Sequence, residues 1–310
     1  MTTSVNRRRL LKATGAGALG STAGCLALLD GGGGDDITVG GKEFTEQLIL
    51  SYISIHMLED AGYGVDDSSG LGGNTANHEA LVQGETDHYW EYTGTGLNYH
   101  LGLEDEKITD PDEQYQRVAG EYEDEHGIVW LDMAPFNNTY VVTANQEWQA
   151  ETGVETITGL AEHINDGNEV TWGVSNQYLE NPTALGDMPE FYGYEDSMDN
   201  VTYEEMAIGT INYRAVEEGE VDLGVGFQTD PQLQQFDVGT VEDDETWFVI
   251  YYPAPLVREE ALDDDVREAL NAPTEHLDTE TMQQLNAEVA VDEQDPRAVA
   301  EDWLKSEGLL

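Results

Sequence analysis

Apolar and polar positions follow one another along the chain in a way that predicts strands and helices in turn. Residues 37–39 are typical of a short strand before a glycine turn, and residues 44–60 carry apolar side chains at helical spacing. A second strand begins at Val65, a second helix spans 72–82, and a third strand spans 87–92. This strand–helix–strand–helix–strand order predicts a parallel sheet.

The rest of the chain continues the same alternation of element types. Further strands are predicted at 129–131, 137–143, 170–174, 221–227 and 247–251, and the region 266–310 is predicted to be helical. The fold class predicted from this pattern is α/β.

The charge balance sets this chain apart from proteins that work in dilute salt. The sequence holds 64 acidic and 12 basic residues, a formal net charge of −52. In molar salt the Debye length falls to roughly 3 Å, so that such a surface no longer repels itself and stays hydrated. The composition therefore indicates a halophilic protein. It also argues against nucleic acid as a partner, because a phosphate backbone needs a basic face.

Residues 1–36 have the features of an export signal and a tether. Residues 7–9 are three arginines that begin a twin-arginine signal, and a mildly apolar stretch follows them. The only cysteine, Cys25, follows the small residues 22–24 as in a lipobox, although an ordinary signal peptide with a chance cysteine is the alternative. We expect a lipoprotein, exported and anchored to the outer face of the cytoplasmic membrane by lipidated Cys25, with 31–36 as its tether.

Signals for catalysis, cofactors and metals do not stand out in the sequence. It contains no nucleophile elbow, P-loop or dinucleotide-binding glycine motif. Its seven histidines are not spaced as metal ligands, and no acidic run has the ligand spacing of a calcium loop. We therefore predict no enzyme activity, no catalytic residue, no metal and no cofactor.

Four aromatic residues fall at the ends of predicted strands, beside glycine, asparagine or threonine. They are Tyr92, Tyr140, Phe227 and Tyr251. Strand ends of an α/β sheet meet at the crevice where ligands bind, so four aromatic faces there would form a cage for a quaternary ammonium group. Each cation–π contact contributes up to about 2 kcal/mol once water is excluded. The alternative is that each ring is a core residue, and the residues alone leave both interpretations open.

A set of short motifs gives the chain a resemblance to a known family. The motifs are GKEFTEQ at 41–47, EYTGT at 91–95, FNNTY at 136–140, GEVD and FQTD at 219–222 and 227–230, and YYPAPLV at 251–257. In this order they span nearly the whole chain after the tether. The sequence resembles the substrate-binding proteins of ABC importers for quaternary amine osmoprotectants such as glycine betaine, choline and carnitine, of the haloarchaeal lipoprotein type.

The resemblance implies a two-lobed, periplasmic-binding-protein-like fold of type II, with the ligand in the cleft between the lobes. Residues 37–136 and 231–310 are expected to form lobe 1, and residues 137–230 lobe 2. The four aromatic residues match the family's cage positions, and Phe227 stands where the family usually has a tyrosine.

The polar positions of the pocket are also implied by the resemblance. Lys42, Gln47, Thr95 and Asn138 match them, and Lys42 and Thr95 would bind a ligand carboxylate. Asn181 stands where many betaine binders supply an arginine, so a bidentate clamp on the carboxylate is missing or replaced. Glycine betaine is the expected ligand because Lys42 is retained, and choline, which has no carboxylate, comes next.

The predicted function is that of an extracytoplasmic solute receptor that works as a monomer. It would bind a quaternary ammonium osmoprotectant and deliver it to an ABC permease in the membrane. One alternative is a receptor for another small solute such as an amino acid, with the aromatic residues in the core. A second alternative is an exported enzyme on the same two-lobe scaffold, since a fold alone does not fix a function.

Overall fold

The computed structural model describes residues 36–103 and 106–310. The predicted signal and lipobox, including Cys25, lie outside the described residues. None of the helices in the described part of the chain is long and apolar enough to cross a membrane.

Ten strands within the described residues form two five-stranded sheets. In chain order they are β1 (Ile37–Lys42), β2 (Val65–Gly72), β3 (His88–Tyr92), β4 (Ile128–Trp130), β5 (Tyr140–Asn145), β6 (Val170–Val174), β7 (Val201–Glu205), β8 (Leu223–Phe227), β9 (Val238–Val241) and β10 (Pro253–Arg258). The first sheet has the order β2-β1-β3-β10-β4, and the second has the order β7-β6-β8-β5-β9. β1 pairs in parallel with β2 and β3, as the sequence predicts, whereas β10 runs antiparallel to β3 and β4.

Twelve α-helices cover these sheets in the described residues. They are α1 (Thr45–Asp60), α2 (Asn74–Gln83), α3 (Pro111–His126), α4 (Gln146–Thr152), α5 (Ile157–Asn165), α6 (Asn176–Glu180), α7 (Met188–Tyr192), α8 (Thr210–Glu217), α9 (Gln232–Gln235), α10 (Asp264–Asn271), α11 (Thr279–Ala290) and α12 (Pro296–Glu307). Thr95–His100 and Pro182–Gly186 are π-helical, and Glu195–Asn200, Glu259–Ala261 and Thr274–His276 are short 3₁₀ helices.

Each sheet has its own apolar core, which divides the described chain into two lobes. In lobe 1, α1 packs closely on the first sheet, because a Cβ on Gly41 would lie only 2.1 Å from Ser51 Oγ. Ile49, Leu50 and Ile53 of α1 are fully buried there together with apolar residues of α10, α11 and α12. In lobe 2 a separate cluster of buried residues surrounds β5, β6 and β8. The helical prediction for 266–310 is confirmed by the three C-terminal helices.

Two extended connections, 131–139 and 242–252, run side by side between the lobes. Asn138 N donates to Tyr251 O at 3.0 Å, and Tyr251 N donates to Asn137 Oδ1 at 2.7 Å. The predicted lobe boundaries place 231–310 in lobe 1, yet β9 pairs with β5 in the second sheet. The chain therefore returns to lobe 1 only after β9, because the strand pairing continues beyond the short helix α9.

The predicted strand at 247–251 is wrong. This stretch is an extended connection, and the strand β10 begins only at Pro253. Pro253 and Pro255 lack backbone N–H groups, so the sequence does not indicate a strand at these positions. Their carbonyl groups nevertheless accept hydrogen bonds, from Ala134 N at 2.9 Å and from Leu131 N at 2.9 Å.

Candidate ligand-binding site

A cavity of about 170 Å³ lies between the two lobes. It is lined by Lys42, Phe44, Asn74, Tyr92, Thr95, Asn138, Tyr140, Phe227 and Tyr251. Lobe 1 supplies ends of β1 and β3 and the first residue of α2, and lobe 2 supplies ends of β5 and β8. Strand ends and helix N-termini therefore meet at the crevice, which is where α/β sheets bind their ligands.

Two of the four predicted cage residues are neighbours across a strand pair. Tyr140, the first residue of β5, lies opposite Phe227, the last residue of β8, in the antiparallel register. Their rings stack with centroids 5.0 Å apart and planes inclined by 27°. Tyr178 of α6 packs edge-on against Tyr140 at 5.0 Å, so this wall is held in place from behind. The pairing follows from the strand register, which no pattern in the sequence displays.

The other two cage residues come together at the edge of lobe 1. Tyr92 ends β3 opposite Pro253, and Tyr251 lies just before this strand pair begins. Gly94 makes the approach possible, because a Cβ there would lie 2.5 Å from Ile250 O and 2.9 Å from the Tyr251 ring. The structure thus brings all four predicted cage residues to one cavity.

Lys42 lines the cavity, but its charge is not free. Its ammonium group forms a buried ion pair with Glu91 Oε1, and Lys42 Nζ lies 5.0 Å from the centroid of the Tyr92 ring. Tyr92 N donates to the same Glu91 oxygen at 2.7 Å, while His100 Nε2 lies 3.2 Å from Oε2. Burial alone would raise the pKa of Glu91, but the Lys42 charge and the hydrogen bonds from His100 and Lys42 lower it to about 2.

Sequence reasoning missed Glu91, although one signal could have found it. A charged residue in the aromatic strand 87–92 is expected to be buried, and a buried charge needs an oppositely charged or hydrogen-bonding partner. All five residues of β3 are buried, so the carboxylate needs the cation and the donors that it meets. Phe44 and Asn74 were also missed as lining residues.

A second buried carboxyl, that of Glu46, lies next to Tyr92. Tyr92 Oη donates to Glu46 Oε1 at 2.6 Å, and Asn138 Nδ2 donates to the same oxygen at 3.0 Å. Asn286 of α11 donates to Oε2 at 3.2 Å and also to Thr229 O at 3.1 Å. Burial raises the pKa of Glu46, although its hydrogen bonds partly oppose the shift. Residues of α1, α11 and lobe 2 are connected through this carboxyl.

Two predicted site residues are not among those that line the cavity. Gln47 is fully buried one residue after Glu46, and its amide atoms have no hydrogen-bond partner in the described structure. Asn181 interacts through its side chain with Tyr140, whose pKa is raised by burial and lowered in part by this contact. The Asn181 Oδ1 atom accepts from Thr183 N and Oγ1, each at 3.0 Å, so it also holds the π-helical turn that follows.

A larger cavity of about 530 Å³ adjoins the first one. The two share Phe44, Asn138 and Phe227 in their walls. The cleft therefore continues beyond the four aromatic residues toward α8 and α11. Among the described residues no cluster of three or more histidine, cysteine, aspartate or glutamate side chains could hold a metal ion.

The two sheets with their cleft and two crossing connections define a type II periplasmic-binding-protein fold, as predicted. The family model described as "Substrate binding domain of ABC-type glycine betaine transport system" matches residues 35–306, and the chain belongs to this family. The predicted family resemblance is thereby confirmed. The relatives in this family are named as solute-binding proteins and not as enzymes.

Individual relatives agree with this assignment. A glycine-betaine-binding protein of Pseudomonas aeruginosa is 32% identical over 284 residues, which cover 89% of this chain and 89% of the relative. A chemotactic signal transduction substrate-binding protein, CosB of Halobacterium salinarum, is 32% identical over 82% of this chain and 79% of its own length. The apo structure of YehZ from Escherichia coli superposes with a TM-score of 0.75 at 27% identity, covering 89% of this chain and 100% of that one.

Proposed function

We propose that this protein binds a quaternary ammonium osmoprotectant, glycine betaine first and choline next, and delivers it to an ABC permease. The observation that carries the proposal is the convergence of Tyr92, Tyr140, Phe227 and Tyr251, from both lobes and a crossing connection, on one cavity of about 170 Å³. A quaternary ammonium group cannot donate a hydrogen bond, so aromatic faces are its natural partners. The relative in Pseudomonas aeruginosa named as a glycine-betaine-binding protein supports this ligand class.

The remaining lining residues suit the other end of the ligand. The ammonium of Lys42 and the side chains of Thr95 and Asn138 border the cavity, where a carboxylate would accept their hydrogen bonds. Because two walls of the cavity belong to lobe 1 and lobe 2, a bound ligand would draw the lobes together and present the closed form to the permease.

Export and anchoring belong to the same proposal. We infer that the twin-arginine signal directs the chain out of the cell and that lipidated Cys25 holds it, as a monomer, at the outer face of the cytoplasmic membrane. The strongly acidic composition supports work in high salt, where a desolvated aromatic cage keeps its affinity while surface charge pairs are screened.

Isothermal titration in multimolar salt tests the ligand. Glycine betaine, choline and an ordinary amino acid would be titrated in turn into the purified protein, with circular dichroism to show that it is folded. Saturable heat from either quaternary amine and none from the amino acid is the expected result. Binding of the amino acid alone would overturn the proposal and would return the four aromatic residues to a structural role.

A second candidate partner follows from the relative in Halobacterium salinarum, whose name places it in chemotactic signal transduction. The same cleft would then report the solute to a chemotaxis transducer instead of a permease. A deletion strain separates the two: loss of glycine betaine uptake supports the permease, whereas loss of taxis toward glycine betaine with normal uptake supports the transducer.

A further inference from the structure

A row of three buried side chains connects the cavity to a histidine stack inside lobe 1. Glu91 stands in the middle, with Lys42 Nζ at its Oε1 and His100 Nε2 3.2 Å from its Oε2. The side chains of Lys42, Glu91 and His100 are exposed by only 2%, 0% and 3%. Lys42 also lines the cavity. The net charge beside the cavity therefore depends on whether Glu91 is balanced by Lys42 alone or also by a charged His100.

The charge of this row has two values. When His100 is neutral, the charges of Lys42 and Glu91 cancel. When His100 is protonated, Glu91 is matched by the imidazolium, and the row carries one net positive charge beside the cavity. In a buried site this difference is weakly screened, even in high salt. In the second state, a zwitterionic ligand with a carboxylate binds more tightly, and a ligand that is only a cation binds less tightly.

We propose that His100 acts through Glu91 as a positioning residue that sets the ligand's charge type, so that protonated His100 favours carboxylate-bearing quaternary amines over cationic ones. This inference rests on the proposed function, because it concerns the same cavity. Histidine is the side chain that ordinarily changes its charge between pH 5 and pH 8, so the selection follows pH.

The groups that face His100 come from four elements. His78 of α2 stacks on it at 4.1 Å, the Tyr99 ring lies edge-on at 5.2 Å, and Glu91 of β3 also accepts from Tyr89 Oη at 3.1 Å. Behind His78 lie two residues of α3, His126 at 5.6 Å and Tyr122, whose hydroxyl is 3.3 Å from His78 Nδ1.

His78 does not compete with His100 for the proton. Burial, and then the charges of His100 and His126, lower the pKa of His78 to about 4. In the stack it is His100 whose ring nitrogen lies within hydrogen-bond distance of the Glu91 carboxylate. A proton on His100 therefore lies against the Glu91 carboxylate, whereas a proton on His78 does not. The second buried carboxyl, Glu46, accepts hydrogen bonds from Tyr92, Asn138 and Asn286, and in the described structure none of its hydrogen bonds goes to this stack.

The test is a titration of glycine betaine and of choline at about pH 5 and about pH 8, in the same multimolar salt. We expect the ratio of the choline Kd to the glycine betaine Kd to rise about tenfold at the lower pH, which corresponds to a coupling of one pKa unit. By reciprocity, glycine betaine binding near neutral pH takes up protons from the buffer, and choline binding does not. Buffers of different ionisation enthalpy reveal this uptake.

Three variants make the test specific. His100→Gln keeps a neutral group in place, so the ratio should stay at its high-pH value throughout. Glu91→Gln removes the counter-charge of Lys42, so the ratio should stay high at both pH values. His126→Gln changes the outer end of the stack without touching Glu91 and should retain the pH dependence of the wild type. If Glu91→Gln does not fold, the comparison of His100→Gln with His126→Gln decides.

The outcomes separate this inference from the proposed function. Binding of neither quaternary amine at any pH refutes the proposed function itself. Normal glycine betaine binding with a pH-independent ratio overturns only the role of His100. The same holds if His100→Gln still changes the ratio tenfold, because Glu46 or another group would then carry the pH dependence.

Discussion

The Tyr92 hydroxyl donates a hydrogen bond of 2.6 Å to Oε1 of Glu46, and both side chains are more than nine-tenths buried. Glu46 lies in the first turn of α1, whose preceding residue Phe44 provides no side-chain cap. The hydrogen bond therefore fixes the Tyr92 ring to the helix N-terminus that borders the cavity. A buried carboxyl that loses a donor is costly, so this contact carries both stability and the position of the ring.

Removal of this hydroxyl separates the two contributions. Tyr92→Phe keeps the aromatic face but leaves Glu46 without its shortest donor, so we expect a loss of about 1–3 kcal/mol in the free energy of unfolding and only a small change in affinity. Tyr140→Phe is the matched control, since burial raises the pKa of Tyr140 and the opposing contribution comes from the Asn181 side chain and not from a buried carboxyl. Denaturant unfolding of both variants measures the difference, and equal stability of the two would contradict this role of Glu46.

Truncation of a cage ring tests the aromatic contact itself. Tyr140→Ala removes the face that stacks on Phe227, and the loss of a desolvated cation–π contact of about 2 kcal/mol corresponds to roughly thirtyfold weaker binding of glycine betaine. Tyr203→Ala, at a partly buried tyrosine of β7 outside the cavity, should lower stability and leave the Kd unchanged. Wild-type affinity in a folded Tyr140→Ala protein would contradict the proposed aromatic cage.

Gly94 offers a steric test of how the crossing connection meets the cage. A Cβ at this position would come within 2.5 Å of Ile250 O and 2.9 Å of the Tyr251 ring, so Gly94→Ala must displace the connection. Overpacking of this kind costs about 1–3 kcal/mol, and the shift of Tyr251 should weaken ligand binding as well.

Gly120→Ala is the control for the glycine substitution. Gly120 lies inside α3, and an added Cβ would meet no atom within 4 Å. Alanine there should stabilise the protein by about 0.5–1 kcal/mol, because glycine loses more backbone entropy in a helix. Thermal unfolding of both variants, followed by titration with glycine betaine, compares them. Unchanged affinity in Gly94→Ala would show that Tyr251 tolerates the displacement.

The convergence of the four aromatic residues was predictable from the sequence because strand ends can be recognised from local patterns. Tyr92 and Phe227 end β3 and β8 as predicted, and the α/β sheet rule then places such ends at one crevice. Tyr251 lines the cavity as predicted, but the prediction assigned it to a strand, whereas 247–251 is an extended connection. The strand that follows this connection, β10, was not predicted because prolines are unusual inside a strand and β10 contains two.

The polar half of the site could not be predicted in the same way. Lys42 lines the cavity as expected, but the sequence does not show that Glu91, 49 positions later in the chain, forms an ion pair with it. The contact exists because β1 and β3 are neighbours in the sheet, a relationship that only the tertiary structure fixes. Glu46, Asn138 and Asn286 likewise meet across long sequence separations.

The buried ion pair of Glu91 with Lys42 predicts a distinct acid dependence of stability. The pKa of Glu91 is lowered to about 2 in the folded protein, below its ordinary value of 4.5. Its contribution is therefore fully present above pH 4.5 and is lost as the pH falls toward 2, and a shift of this size corresponds to roughly 3 kcal/mol.

Glu91→Gln isolates this contribution from that of the many surface carboxyl groups, which both proteins share. At neutral pH the variant should be less stable by a few kcal/mol, because Lys42 is left buried without a counter-charge. The gap to the wild type should narrow between pH 4.5 and pH 2, as the wild-type carboxyl becomes protonated and neutral like the amide. Denaturant unfolding at a series of pH values measures the gap. A constant gap over this range would mean that the pKa of Glu91 is the same in the folded and the unfolded protein. That result, or a gap that widens on acidification, would contradict the ion pair as the source of the stability.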